Sequence, residues 1–207
     1  YVMKVINIER MSEKDKAFCI NEVQVLAKLN HPFIVKYKES FIENMCLYII
    51  MEYCEGGDLF SLIKAHAKAK KKFFEKEITQ WLTQALIALR FLHKRHILHR
   101  DIKSMNLFLD NNGRLRIGDF GVSKVLENTL AYAQTMVGTP YYLSPELCEG
   151  SDYTWPSDIW SLGCVIYELA SFETPFGKAK NIHQLMDKVK NYPVWHQLSH
   201  VNGFSAV

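Results

Sequence analysis

Alternating apolar and polar residues in the first quarter of the chain predict a β-rich region. Residues 1–6 have the pattern of a strand, and residues 33–41 and 46–53 form two further β-rich stretches. The turn residues Glu43 and Asn44 lie between these two stretches. We therefore expect the two stretches to form an antiparallel pair of strands.

Apolar residues at helical spacing predict five helices. The first covers residues 12–29, and we expect it to stop before Pro32, because the residue that precedes a proline disfavours the helical region. The pair Gly56-Gly57 ends the strand-rich part of the chain. Four further helices are expected at residues 58–70, 75–94, 156–171 and 179–190.

A short hairpin is predicted within this helical region. Residues 106–110 and 115–120 flank the pair Asn112-Gly113, which is a strong hairpin signal. Strands thus come first and helices afterwards, which predicts an α+β fold with a small β-rich lobe and a larger helical lobe. The joint between the two lobes falls near residues 52–57.

Composition narrows the class of protein. The 207 residues are 48% apolar and 23% charged, as in ordinary globular proteins, and the net charge of +3 is too small to indicate nucleic-acid binding. Five cysteines without a CxxC pair indicate reduced thiols in a cytosolic or nuclear protein. The longest apolar run, residues 46–51, is too short to span a bilayer, and no basic-then-apolar leader opens the chain. We expect a soluble protein with neither a nucleic-acid nor a membrane partner.

Residues 99–106, with the sequence HRDIKSMN, carry the most specific chemistry in the chain. Asp101 can accept a hydrogen bond from an attacking hydroxyl and orient it. Lys103 can neutralise the charge of a transferring phosphate. Asn106 and the later Asp119 offer oxygen ligands, which Mg²⁺ prefers when it shares its coordination with substrate phosphates. Asp101, Lys103 and Asn106 can converge on one loop, and the chemistry of these residues and Asp119 is suited to phosphoryl transfer.

An ordered series of motifs makes the chain resemble a eukaryotic-type protein kinase. After HRDIKSMN come Asp-Phe-Gly at 119–121, Gly-Thr-Pro at 138–140, Ser-Pro-Glu at 144–146 and DIWSLG at 158–163. Each motif alone is weak evidence, but their common order is specific. Longer stretches such as GDFGVSKVL and VGTPYYLSPEL resemble the NIMA-related (NEK) branch of serine/threonine kinases. The resemblance covers roughly residues 1–190.

The resemblance implies an ATP site between the two lobes. Lys4 corresponds to the ATP-binding lysine, and Glu22 corresponds to the helix glutamate that pairs with it. Met51 takes the gatekeeper position, directly before the hinge that meets the adenine edge. The residues that the resemblance implies for ATP binding are Val2, Lys4, Met51, Glu52, Cys54, Asp58 and Phe108.

The resemblance also implies catalytic, metal-binding and regulatory roles. Asp101 and Lys103 would act in transfer together with Lys4 and Glu22. Asn106 and Asp119 would bind Mg²⁺. The regulatory residues would be Thr135, Arg100 and Thr139. A phosphate on Thr135 would add roughly −1.5 to −2 charges that pair with Arg100.

These features predict ATP-dependent phosphorylation of serine or threonine on protein substrates, and two alternatives stay open. One is a catalytically inactive kinase-like fragment or binding module, and the other is a small-molecule kinase of related fold. Retention of Lys4, Glu22, Asp101, Asn106 and Asp119 favours the enzyme over the inactive module. The predicted location is the cytoplasm, with the nucleus and the cytoskeleton as alternatives, and the oligomeric state stays open.

Two departures from the kinase pattern indicate truncation at both ends. A glycine-rich loop does not precede Lys4, and the arginine expected to pair with Glu146 does not follow. We expect a partial kinase domain whose residues alone catalyse poorly. Its expected divisions are residues 1–51 of the small lobe, a hinge at 52–57, residues 58–190 of the large lobe and an atypical tail at 191–207.

Two other clusters have simpler interpretations. His93, His96 and His99 are spaced like metal ligands, but no nearby cysteine or carboxylate completes a zinc set, and His99 belongs to the catalytic motif. Six lysines lie between Lys64 and Lys76, and such runs are usually solvated faces. We therefore expect no metal site at these histidines, with His99 packed inside the lobe, and an exposed lysine surface.

Overall fold

Three antiparallel strands form a small sheet in the first part of the chain. The structure, a computed structural model, describes residues 1–119 and 141–191. The sheet consists of β1 (Val2–Asn7), β2 (Tyr37–Glu43) and β3 (Cys46–Met51), with β3 in the centre. Asn44 and Met45 join β2 to β3 with φ angles of 48° and 55°, as a tight two-residue hairpin requires. The predicted antiparallel pair is confirmed.

The predicted start of β2 at residue 33 is wrong, because residues 33–35 pair elsewhere. The backbone N–H of Val35 donates to the carbonyl oxygen of Ile117 at 2.8 Å, and the N–H of Ile117 donates to the carbonyl of Phe33 at 2.9 Å. These residues therefore join the two lobes. Alternation of apolar residues predicts extended backbone, but it does not say which strand is the partner.

Helix α1 (Glu13–Ala27) packs one face against the sheet. Ser12 caps its first turn by accepting a hydrogen bond from the backbone of Asp15 at 3.2 Å. Cys19 and Val23 are one helical turn apart and are both buried. The small-lobe core consists of Ile6, Ile8, Cys19, Val23, Leu47 and Ile49.

Within residues 58–119 and 141–191, the larger lobe contains five helices, of which four were predicted. They are α2 (Leu59–Ala69), α3 (Glu75–His93), α4 (Pro145–Cys148), α5 (Trp155–Ser171) and α6 (Ile182–Asn191). The four-residue helix α4 is too short for a periodic signal. Helix α6 begins three residues later than expected, because the Asn181 side chain accepts a hydrogen bond from the backbone of Gln184 and caps the first turn.

Helices α3 and α5 form the centre of the large lobe. Ala85 and Ala88 of α3 are fully buried, and such small side chains let neighbouring elements approach closely. Leu162, Val165 and Leu169 lie at helical spacing on the buried face of α5. Within residues 1–119 and 141–191, no helix combines the length and the apolar character needed to cross a membrane.

A short hairpin of β4 (Leu107–Leu109) and β5 (Leu115–Ile117) confirms the prediction around Asn112-Gly113, although both strands are shorter than expected. The Asp110 carboxylate accepts the backbone N–H groups of Asn112 at 2.9 Å and Arg114 at 3.0 Å. Gly113 has a φ of 70°, the left-handed conformation that glycine adopts readily. These contacts fix the loop between the strands.

The connection between the lobes is fixed against β4. Gly56 donates its N–H to the carbonyl of Leu109 at 2.9 Å, and Leu109 donates to the carbonyl of Gly57 at 2.8 Å. A Cβ atom on Gly56 would lie 2.7 Å from the Cβ of Leu109. Glycine is therefore required at this close approach, which sets the position of the connection relative to β4.

Candidate active site

The backbone of the HRDIKSMN segment, here called the catalytic loop, is held by Asp158 of α5. The N–H groups of His99 and Arg100 each donate to the Asp158 carboxylate at 3.1 Å. His93 Nε2 and the Tyr153 hydroxyl also contact it, at 2.7 and 2.5 Å. Burial alone would raise the pKa of Asp158, but hydrogen bonds from His93, Tyr153 and the His99 backbone hold that pKa below its ordinary value. The carboxylate is therefore a charged anchor beneath the loop.

His99 is buried in its neutral form. Its Nδ1 accepts the backbone N–H of Asp101 at 3.2 Å, so the ring proton lies on Nε2, which is 3.1 Å from the Gly118 carbonyl. Burial lowers the pKa of His99 despite the nearby carboxylates of Asp158 and Asp101. The ring thus connects the catalytic loop to the segment that ends in Asp119.

The loop brings together the three polar residues that the sequence singled out. Lys103 Nζ lies 3.1 Å from Oδ2 of Asp101. The Asn106 amide nitrogen donates to the backbone carbonyl and to Oδ2 of Asp101, each at 2.8 Å. Because Asp101 accepts both of these hydrogen bonds, the amide oxygen is the atom of Asn106 that can ligate a cation.

Asp119 lies beside this group and contacts the small lobe. The N–H of Gly118 donates to the Asn106 carbonyl at 3.0 Å, so the segment leading to Asp119 runs along the catalytic loop. Asp119 has a φ of 51° and forms an ion pair with Lys4 of β1. The side chains of Lys4 and Asp119 are 25% and 39% exposed, which leaves this pair accessible from the cleft between the lobes.

The hinge side of the cleft is formed by Met51 and the residues after it. Glu52 donates its N–H to the carbonyl of Lys36 at 2.8 Å, and its carboxylate lies 3.8 Å from Nη2 of Arg116. Cys54 is buried, and burial raises its pKa to about 11, so its thiol is neutral at pH 7. A small cleft here is lined by Leu26, Leu29, Ile34, Val35, Tyr37, Met51, Gly118 and Asp119.

Val2, Asp58 and Phe108 are the remaining residues implied for ATP binding, and each pairs with another member of the implied set. Val2 faces Met51 across the β1–β3 ladder, and Asp58 forms an isolated bridge with Phe108. The carboxylate of Asp58 caps helix α2 by accepting the N–H and the hydroxyl of Ser61, both at 2.8 Å. This capping role gives Asp58 a local structural reason to be acidic, in addition to any contact with a ligand.

Three predicted residues lie wholly or partly outside the described part of the structure. Glu22 lies in helix α1, but its side chain is outside the described part of the structure, as are Thr135 and Thr139. Arg100 is exposed and has a φ of 64°. The predicted Lys4–Glu22 pair and the contact between Arg100 and a phosphate on Thr135 therefore remain predictions.

The histidine cluster and the lysine run lie in different surroundings. His93 and His99 make the hydrogen bonds described above, and His96 is exposed with a φ of 57°. All six lysines between Lys64 and Lys76 are exposed, and Lys64 lies 4.1 Å from the centre of the Phe60 ring. The interpretation of this run as a solvated surface is confirmed.

The sequence of the chain matches a known protein family. The family model described as "Protein kinase domain" matches residues 1–203. The chain belongs to the protein kinase family. The family as a whole uses ATP and Mg²⁺, and the resemblance read from the kinase motifs is confirmed.

Individual relatives refine this assignment. The chain is similar to serine/threonine-protein kinase Nek1 of Mus musculus, at 52% identity over 91% of the chain and 16% of the relative. Against Nek5 of Homo sapiens the identity is 46%, over 91% of the chain and 26% of the relative. The identity to the probable serine/threonine-protein kinase nek2 of Dictyostelium discoideum is 48%, over 91% of the chain and 46% of the relative. The resemblance to NIMA-related kinases is confirmed, and the chain spans less than half the length of each of these relatives.

Sequence reasoning missed a charged contact behind the kinase hinge. Arg116 of β5 has Nη2 3.2 Å from Oδ2 of Asp110, and the same nitrogen is 3.8 Å from Glu52. Arg114 binds the same Asp110 oxygen at 3.0 Å. The hinge is thereby connected to the β4–β5 hairpin. The alternation of Arg114 and Arg116 was visible in the sequence, but their partners were not.

Proposed function

We propose that this kinase-family chain transfers the terminal phosphoryl group of ATP to serine or threonine hydroxyls of protein substrates. The observation that carries the proposal is the group formed by Asp101, Lys103 and Asn106, with three polar contacts of 2.8–3.1 Å among them. Similarity to kinases named for serine and threonine supports the acceptor class.

Asp101 orients the acceptor hydroxyl in this proposal. Its carboxylate is held by Lys103 and Asn106, so it is already positioned to accept a hydrogen bond when a hydroxyl approaches. Lys103 stabilises the negative charge that is shared among the phosphoryl oxygens during transfer. Positioning and electrostatic stabilisation supply most of the catalysis in this reaction.

Asn106 and Asp119 are suited to hold Mg²⁺. One offers an amide oxygen and the other a carboxylate, and hard cations prefer such oxygen ligands. Bound Mg²⁺ would neutralise part of the negative charge on the phosphates. Lys4, which contacts Asp119, binds the phosphates in this proposal, and Glu22 of α1 is its partner in the active state.

The nucleotide base lies between Val2 and Phe108 in the proposed site. The hinge residues Glu52 and Cys54 meet the adenine edge, behind the gatekeeper Met51. Asp58 lies near the ribose, one residue before helix α2. The neighbouring pairs Val2–Met51 and Asp58–Phe108 support this arrangement, because they border both sides of the hinge.

Substrate docking and regulation are assigned to the activation segment. In the proposal, the segment that ends at Ser144-Pro145-Glu146 receives the substrate polypeptide. Phosphorylated Thr135 pairs with Arg100, whose exposed position supports that role, and Thr139 belongs to the same switch. We further propose the domain divisions given above and a cytoplasmic location.

The test is the change Asp101→Asn, with Asp152→Asn on the exposed surface as the matched control. Asp101→Asn is expected to retain ATP binding and to lower transfer to a generic protein substrate by about 10²–10⁴-fold, because it removes the positioned carboxylate. Equal rates in the two variants would contradict the assignment. ATP binding by the unmutated protein without any transfer would favour the inactive binding module, and transfer to small alcohols instead would favour a small-molecule kinase.

A further inference from the structure

A buried polar cluster joins the catalytic loop to the segment around Tyr142. Ser104 is fully buried in a 3-10 turn (Ser104–Asn106), and its Oγ lies 3.1 Å from the Tyr142 hydroxyl. That hydroxyl donates to Oε2 of Glu168, on helix α5, at 2.6 Å. We refer to Ser104, Tyr142 and Glu168 as the hydroxyl cluster.

The direction of the hydrogen bonds in the hydroxyl cluster follows from the protons available. Tyr142 has one hydroxyl proton, which it donates to Glu168, so the Ser104 hydroxyl must donate to the Tyr142 oxygen. Glu168 is only 5% exposed. Burial raises its pKa, and the hydrogen bond from Tyr142 opposes that rise. The cluster is therefore a connected set of buried donors and acceptors.

Helix α5 holds Tyr142 at a second point. Ser161 donates its hydroxyl to the Tyr142 carbonyl at 3.1 Å. Ser161 and Glu168 lie on the same face of α5 as Asp158, which anchors the other end of the catalytic loop. One helix thus supports both segments, and Ser104 provides a direct link between them.

We propose that Ser104 is a positioning residue that sets the place of the substrate polypeptide relative to Asp101. This inference rests on the proposed phosphoryl transfer. Ser104 follows Lys103 directly in the catalytic loop, and Tyr142 lies two residues before Ser144, where the docking segment ends in Ser-Pro-Glu. A change in the Ser104–Tyr142 contact therefore moves the docking segment relative to the carboxylate that receives the hydroxyl.

The hydroxyl cluster is expected to act on the polypeptide and not on the nucleotide. Its members belong to the catalytic loop, the segment at Tyr142 and helix α5. The residues proposed to contact the base and ribose of ATP belong to β1, β3, the hinge, the N-cap of α2 and β4. Loss of the Ser104 hydroxyl should consequently change KM for a peptide substrate while KM for ATP stays constant.

The kinetic test compares Ser104→Ala, Tyr142→Phe and the double variant. Ser104→Ala is expected to raise the peptide KM about three- to tenfold, the effect of losing one buried hydrogen bond. Tyr142→Phe removes both hydroxyl contacts and should raise it further. The double variant should match Tyr142→Phe, because Ser104 acts through Tyr142. Additive effects, or equal increases of the ATP and peptide KM values, would overturn the proposal.

Ser171→Ala is the matched control. It removes a serine hydroxyl at the far end of α5, where Ser171 donates to the Tyr167 carbonyl at 2.8 Å, away from the catalytic loop. This variant should leave the peptide KM unchanged even where it lowers the melting temperature. A similar increase of the peptide KM in Ser171→Ala would assign the effect to helix stability and would overturn the proposal.

Amide hydrogen exchange gives a readout that does not depend on turnover. Tyr142→Phe is expected to speed exchange in residues 104–106, and Ser104→Ala is expected to speed it in residues 141–143. Changes confined to the mutated segment would overturn the link. An unmutated protein without protein phosphorylation would refute the proposed function and this role together, whereas an active protein with an unchanged peptide KM in Ser104→Ala would refute this role alone.

Discussion

Asp158 binds the backbone of Arg100 in a left-handed conformation. Oδ1 of Asp158 accepts the Arg100 N–H at 3.1 Å, and Arg100 has a φ of 64°, a conformation that costs free energy in a non-glycine residue. The buried carboxylate offsets that cost through a charge-assisted hydrogen bond. Asp101 is the next residue, so the orientation of the proposed catalytic carboxylate depends on this contact.

The change Asp158→Asn should therefore lower both stability and activity. Four groups now contact the Asp158 carboxylate, namely the side chains of His93 and Tyr153 and the backbone amides of His99 and Arg100. The NH₂ group of asparagine would face at least one of these donors, and that hydrogen bond would be lost. We expect a loss of about 1–3 kcal/mol in the free energy of unfolding, measured by urea denaturation. Asp152→Asn, on the exposed surface, is the control, and equal losses would contradict the anchoring role.

The pKa of His99 predicts a dependence of stability on pH. Burial lowers this pKa in the folded protein, whereas the unfolded chain takes up a proton below about pH 6.5. The unfolded state thus binds more protons in this range, so the free energy of unfolding should fall as the pH decreases below 6.5, by at most about 1.4 kcal/mol per pH unit from this group. The fall ends below the folded pKa.

Urea denaturation at pH 7.5, 6.5 and 5.5 measures this dependence. The variant His99→Gln should show a weaker decrease than the unmutated protein, because it lacks the titrating ring. His96→Gln, which removes an exposed histidine, should retain the full decrease. If His99→Gln keeps the same slope as His96→Gln, the neutral buried ring does not control the acid sensitivity.

Local patterns predicted the elements and the catalytic loop, but not the contacts between distant segments. The helices α1, α2, α3 and α5 were predicted within two residues at each end. Their apolar spacing and their capping residues are local signals that lie within or next to each helix in the sequence. In contrast, Ser104 and Tyr142 are 38 residues apart in the sequence. The local sequence around either residue does not show whether its hydroxyl is buried or exposed. Their pairing depends on the packing of helix α5.

The contacts of Arg116 at the hinge also could not be predicted from the local sequence. Alternation along β5 predicts that Leu115 and Ile117 face one side and Arg116 the other, as the structure has them. Arg116 contacts Asp110 and Glu52 only because the β4–β5 hairpin packs against the hinge, and the sequence alone does not show this packing. Sequence spacing gives the face of a strand, and tertiary packing gives the partner.

Arg116→Gln should weaken ATP binding more than Arg114→Gln does. Both arginines contact Asp110, but only Arg116 is also close to Glu52, and its side chain is 14% exposed against 49% for Arg114. We expect the KM for ATP to rise about three- to tenfold in Arg116→Gln, equivalent to roughly 0.7–1.4 kcal/mol of binding free energy. Steady-state kinetics at varied ATP measures it. Equal KM values in the two variants would show that the hinge contact does not influence the nucleotide site.

The last prediction concerns Lys4, which has two candidate partners. The structure pairs Lys4 with Asp119, whereas the kinase resemblance implies a pair with Glu22 in the active state. If Lys4 binds the phosphates, Lys4→Met should lower kcat/KM by about 10²-fold or more, because a cation aimed at the transferring group is lost. Lys38→Met on β2, which is exposed, should leave the rate unchanged.

Glu22→Gln then distinguishes the two partners of Lys4. A Lys4–Glu22 pair in the active state predicts that Glu22→Gln lowers kcat/KM. Glu13→Gln on the same helix should not lower it, because the Glu13 side chain is 89% exposed and pairs with Lys16. The melting temperature should change little in Glu13→Gln, since such exposed ion pairs contribute little to stability. Full activity of Glu22→Gln, combined with a large loss in Lys4→Met, would mean that Asp119 suffices as the partner and that helix α1 does not control the lysine.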